Sequence, residues 1–156
     1  MTVPQEDQKI IADTFVVLEK TRDKSDWRVP CLQIVVGDLA IMTDFAQSHG
    51  EYLTLSYCWG EPYQPQASTT KNLAARMRGF DCSALPATLQ DAIIMTRRLG
   101  FRYLWIDSLC ILQDSKIDKL VETRKMKSIF ESSFATLVAA SAGSAREGFL
   151  SKRNPS

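Results

Sequence analysis

The sequence predicts an α/β domain built on a mainly parallel sheet flanked by helices, and three observations predict it. Apolar runs of strand length occur at residues 52–57, 101–107 and 134–140. Between them, apolar residues recur at helical spacing, first as Leu89, Ala92, Ile93, Thr96 and Leu99, then as Met126, Ile129 and Phe130. Strand, helix, strand, helix, strand is the order whose crossovers make neighbouring strands parallel.

Each element has a local reason. Residues 14–19 and 31–36 are β-branched runs separated by a charged loop at 20–28, and they read as an N-terminal β-hairpin extension or two neighbouring strands. The run at 52–57 stops at Cys58-Trp59-Gly60, because Gly60 and Pro62 oppose further pairing. A long loop at 61–70 reads as functional or mobile, with a short helix at 71–78 after it. Pro86 precedes Thr88, which can N-cap a helix, with Asp91 completing a weak capping box. Gly100 then suits the left-handed residue that closes that helix. The run at 101–107 is apolar throughout, as a strand covered on both faces should be. Residues 118–133 form the next helix and 134–140 a third core strand.

Composition sets bounds. The 156 residues fit one domain at 13–150, with tails at 1–12 and 151–156, and the C-terminal tail reads as cut from a longer protein. Nineteen basic against 18 acidic residues give a net charge of +1, so no overall field steers the chain to nucleic acid. Lys71, Arg76 and Arg78, and Arg97, Arg98 and Arg102, are expected on solvated faces. Four cysteines without a C-x-x-C pair, beside a single histidine, oppose a metal site. No stretch is apolar enough for a membrane span, and the reading is a cytoplasmic protein with free thiols.

One acidic residue interrupts this regularity. Glu122 heads the stripe Glu122, Met126, Ile129, Phe130, Ser133, which helical spacing places on one inward face. A carboxylate there needs partners, so it is either hydrogen-bonded structure or part of a polar pocket, and the pocket is the working hypothesis. Ligands of open parallel sheets bind beyond the carboxyl ends of the strands. Ser56, Tyr57, Trp59 and Gly60 end one strand, Asp107, Cys110 and Gln113 follow another, and Glu122 starts the next helix. Cys110 is either a thiolate nucleophile or an inert buried thiol. His49, the only histidine, has no nucleophile motif beside it, and no phosphate-cradling glycine loop is present.

Three blocks carry a resemblance. They are Tyr52-Leu-Thr-Leu-Ser-Tyr-Cys-Trp-Gly60, Leu85-Pro-Ala-Thr-Leu-Gln-Asp-Ala92, and Leu99-Gly-Phe-Arg-Tyr-Leu-Trp-Ile-Asp-Ser-Leu-Cys-Ile-Leu-Gln-Asp114, followed by Glu122 with Met126, Ile129 and Phe130. Together they resemble the fungal heterokaryon incompatibility (HET) domain. That resemblance implies a cytosolic effector of regulated cell death in filamentous fungi, usually the N-terminal domain of a larger non-self recognition protein. HET domains in turn resemble TIR domains, flavodoxin-like modules of which some cleave NAD at the nicotinamide glycosidic bond. The second likeness implies that Glu122 is the catalytic carboxylate and Asp107 a second polar contact or acid/base partner. Ser56, Tyr57, Trp59, Gly60, Cys110 and Gln113 would then bind the nucleotide, with no metal and no cofactor beyond NAD as substrate. It also implies a homo-oligomer when active, with regulatory domains or partner proteins. The family pattern usually has Trp three residues before this Glu, where this chain has Lys119. A non-catalytic self-assembly module, and a nucleotide sensor without turnover, are the rival readings.

Overall fold

The computed structural model describes residues 51–60 and 66–150 in full, and the strands at 15–20 and 32–36 as backbone. Six strands form one sheet: β1 (Phe15–Lys20), β2 (Leu32–Val36), β3 (Tyr52–Ser56), β4 (Phe80–Asp81), β5 (Tyr103–Trp105) and β6 (Ala135–Val138), in the order β4-β1-β2-β5-β3-β6. The helices are α1 (Leu73–Arg78), α2 (Ala87–Arg98), α3 (Asp107–Cys110) and α4 (Lys116–Ser132), with a 3-10 turn at Cys82–Ala84.

The expected parallel unit is β5-β3-β6, with Leu53 opposite both Leu104 and Ala135. β1 and β2 form the expected N-terminal hairpin, which joins this unit through antiparallel pairing of β2 with β5. β3, the first strand of the unit, lies in its middle, and the chain leaves it in one direction for β5 and returns past it for β6. Four of the five β3 residues are buried, as a strand covered on both faces requires.

Side-chain alternation sorts that unit into two faces. The Tyr52 hydroxyl donates to the Ile129 carbonyl at 2.6 Å, and Trp105 meets Phe130 edge-on at 5.6 Å, so Tyr52, Thr54, Tyr103 and Trp105 face α4. Leu53, Leu55, Leu104 and Ile106 point the other way into the cluster completed by Leu89, Ala92, Ile93 and Ile94 of α2. Gly100 closes α2 as expected: at φ 79° it donates to the Arg97 carbonyl while Phe101 N–H reaches Thr96, and the helix passes directly into β5.

Several expectations are corrected. α2 starts at Ala87 with Pro86 as its N-cap, so Thr88 caps nothing. Its hydroxyl instead donates to the Ser144 carbonyl and accepts from Gly148 N–H. Asp91 forms no capping box, because its carboxylate accepts from the Phe149 and Leu150 N–H groups at 2.6 and 2.9 Å. Leu99 is 51% exposed at the C-cap. α4 begins at Lys116, two residues before the expected start, because the Ser115 hydroxyl accepts from Asp118 N–H. β6 is an edge strand of the described sheet with a partly exposed side-chain pattern, so it is not a core strand.

Arg76 is also misplaced by composition alone. It is buried, donates to the Ser68 hydroxyl and the Gln66 carbonyl, and stacks 5.1 Å from the Phe80 ring centroid. The described end of the long loop is thereby docked. Ser68 N–H bonds the Ser108 carbonyl, and Gln113 N–H bonds the Ser68 carbonyl. Residues 1–12, 20–28 except Lys20, 61–65, 151–156 and His49 lie outside the described set.

Candidate functional site

The carboxyl end of the parallel unit carries most of the residues singled out from sequence. β3 delivers Ser56 to the α4 side of the sheet, because Tyr52 and Thr54 already face α4 and alternation returns Ser56 to that side. Register sets Val138 beside Ser56, and the Thr54–Thr136 hydroxyl contact at 2.8 Å fixes the shared face. Both are exposed, Val138 at 63%, so α4 does not cover this corner.

Beyond Ser56 the chain turns toward α3. The Tyr57 hydroxyl donates to Ser108 Oγ at 2.7 Å, and the Trp59 indole N–H spans both Asp107 oxygens at 3.2 and 3.1 Å. Asp107 Oδ1 also accepts from Ser108 N–H at 2.7 Å. Burial pushes the Asp107 carboxyl above its ordinary value, while the bonds from Ser108, Trp59 and Tyr57 oppose that shift. Gln113 Nε2 donates to the Asp107 and Ile111 carbonyls. Asp107, Tyr57, Trp59, Ser108 and Gln113 therefore form one hydrogen-bonded cluster that locks the turn after β3 to the turn after β5.

Gly60 has a separate task. Its φ is 84°, and a Cβ there would lie 2.7 Å from Ser144 Cβ. The close approach admits residues 142–150, which pass over this turn as a strap: Ala145 N–H bonds the Trp59 carbonyl, and the Ala145 carbonyl accepts from Thr88 N–H. Ala142 and Ala145 of the strap are buried. The strap thus ties the turn after β3 to the start of α2, on the opposite side of the sheet from the open corner at Ser56 and Val138.

Glu122 sits on α4 as the stripe requires, with only 3% of its surface exposed. Lys125 Nζ donates to Oε1 at 3.1 Å, whereas Oε2 is buried without a hydrogen-bond partner. Trp105 Nε1, from the sheet face that α4 covers, is buried and unpartnered as well. A buried polar atom without a hydrogen-bond partner is costly, and Glu122 Oε2 and Trp105 Nε1 are both of this kind. Glu122 is not hydrogen-bonded to the Asp107 cluster. Cys110 lies in the core at 1% exposure, its sulfur accepting from Ile106 N–H at 3.4 Å, which is the inert-thiol alternative.

Three participants escaped the sequence reading. Lys125 stands three residues after Glu122, the spacing of a helical ion pair, and was legible in principle. Val138 acquires its role from strand register and Ser108 from the Tyr57 hydroxyl that reaches it across 51 positions, neither of which a local pattern reveals.

Among the described residues no helix is long and apolar enough to cross a membrane. The family model described as heterokaryon incompatibility protein (HET) matches residues 52–156. The chain is also similar to Heterokaryon incompatibility protein 6, OR allele, of Neurospora crassa, at 30% identity over 93 residues. That alignment covers 56% of this chain and 14% of the relative, so the chain spans a small part of that protein. No solved structure matches the chain.

Proposed function

The chain belongs to the heterokaryon incompatibility (HET) family, and from that premise we propose that it is a cell-death effector domain of fungal non-self recognition that hydrolyses NAD or a related nucleotide. The observation that carries the reading is Glu122: a carboxylate on the inward face of α4, held at one oxygen by Lys125 and unpartnered at the other.

Such an oxygen can accept a ribose hydroxyl, a donor available only when substrate is bound. Cleavage breaks the bond between the ribose C1′ and the nicotinamide nitrogen; the electron pair leaves with nicotinamide, and positive charge develops on the ribosyl ring. A nearby carboxylate stabilises that charge. Water then adds at C1′ and loses its proton, giving ADP-ribose. The exposed corner at Ser56 and Val138 offers a route to the carboxyl end of the sheet, and Asp107 orients the Trp59 indole as a wall for a planar base. Tyr57 and Gln113 bond the turn that carries Asp107, Gly60 admits the strap beside Trp59, and Cys110 stays in the core.

The test is a chromatographic assay for nicotinamide release from NAD by the concentrated protein, run beside Glu122→Gln. Release that falls by about a hundredfold or more in the variant supports the reading, on the scale of lost transition-state charge stabilisation. NAD left intact by the native protein, with undiminished killing by Glu122→Gln in fungal cells, would overturn it.

A specific observation favours a second reading, a non-catalytic assembly module. The Asp107 cluster is satisfied internally by Trp59, Ser108 and Tyr57, as a structural network would be. Killing that survives Glu122→Ala, in a protein that keeps its fold and oligomeric state, selects that alternative.

A further inference from the structure

The outward face of α4 has an apolar stripe that stands exposed among the described residues. Ile117 is 78% exposed, Leu120 54% and Val121 43%, and their i, i+3, i+4 spacing aligns them over the first two turns. Isolated exposed aliphatics are ordinary, but three in register on one helix face are a patch. Lys116, Lys119 and Arg124 are exposed around it, and Lys127 lies one turn further on, partly offset by Glu131 at 3.7 Å. The acids at this end of the helix are engaged elsewhere: Asp118 accepts from Leu112 N–H, and Asp114 from the Thr70 N–H and hydroxyl.

We propose that this face docks on an anionic lipid surface, with Ile117, Leu120 and Val121 in the headgroup boundary and Lys116, Lys119 and Arg124 on the lipid phosphates. Charge and area select this occupant. A second copy would set the same lysines against one another across a two-fold axis. A stable protein partner uses about 800 Å² on each side, more than three aliphatic side chains supply. A lipid surface needs no matching shape, and each basic group near it adds attraction to the buried apolar stripe. The docking is peripheral and independent of any chemistry at Glu122.

The experiment is co-sedimentation of the full chain with vesicles of phosphatidylcholine alone and of phosphatidylcholine mixed with phosphatidylserine, at low and high salt. The expected result is binding to the phosphatidylserine vesicles only, weakened by salt. Partitioning should fall about tenfold or more in Ile117→Ser/Leu120→Ser and in Lys116→Gln/Lys119→Gln/Arg124→Gln. All five positions are exposed, so circular dichroism should show both variants folded. No binding by the native chain, binding equal on both vesicle types, or unchanged binding by the folded variants would overturn the proposal. So would vesicle-free binding of a Leu/Glu amphipathic peptide helix with no vesicle binding, which would assign the face to a protein partner.

Discussion

The Trp59 indole N–H points between the two carboxylate oxygens of Asp107, 3.2 Å from one and 3.1 Å from the other. One side chain from the end of β3 is thus fixed by another from the end of β5, and two turns distant in sequence are tied together.

Asp107 should make stability fall with rising pH. Burial raises its folded carboxyl above the ordinary value of 3.8, so the folded state holds the proton more tightly than the unfolded chain. Stability from this group is fully present below the unfolded value and is lost as pH rises through the folded one. Asp114 and Asp81 have the opposite sign: hydrogen bonds from Thr70 and Ser83 lower them, so their contribution disappears as pH falls through their folded values. Urea unfolding across the acidic range, compared with Asp107→Asn, isolates the first effect. The variant should lose that descending limb and about 1 kcal/mol from the weakened Trp59 bond.

Replacing Glu122 should cost little stability while replacing Lys125 costs more. Glu122→Gln removes an enclosed charge with one unpartnered oxygen, and the thermal midpoint should hold steady or rise. Lys125→Met leaves that charge without its cation and should lose about 1–3 kcal/mol, toward the lower end because the lysine is partly exposed. A loss of several kcal/mol in Glu122→Gln would make Glu122 a structural anchor.

The strap should be sensitive where it meets α2. Gly148 has φ 72°, and a Cβ there would lie 2.7 Å from Asp91 Oδ2. Gly148→Ala is expected to lower stability by about 1–3 kcal/mol through strain and displacement of the Asp91 carboxylate. Asp91→Ala removes the acceptor of two N–H groups and should cost a similar amount. Because both changes act on one contact, the double variant should be less than additive in chemical denaturation.

Thiol labelling should divide the cysteines. Cys58 is exposed and should react with an aromatic disulfide in the native state, read in a Cys31→Ser background. Cys82 and Cys110 are buried, and burial pushes the Cys82 thiol up to about 11, so both should react only on unfolding. Fast native labelling of Cys110 would contradict its place in the core.

What the sequence made legible was whatever depends on short-range periodicity. The β3, α2 and α4 patterns, the closure at Gly100 and the inward stripe headed by Glu122 all follow from spacing within one element. What it hid depends on distant pairing. Thr88 and Asp91 look like capping residues because their local pattern is that of a cap, but residues 144–150 claim both side chains. Arg76 looks like a surface cation until Ser68, Gln66 and Phe80 are placed around it. The Ser56–Val138 corner arises from parallel register between strands 82 positions apart, counting Ser56 to Val138.

The position of β5 between β2 and β3 has a consequence for biosynthesis. A ribosome that has made the chain only as far as Arg98 has produced the hairpin and β3, yet these have no edge in common, because Tyr103–Trp105 is the piece that pairs with both. Until that short segment emerges, the β2 edge and both edges of β3 wait unpaired on the nascent chain, a state in which chaperone occupancy should peak and premature release should favour aggregation.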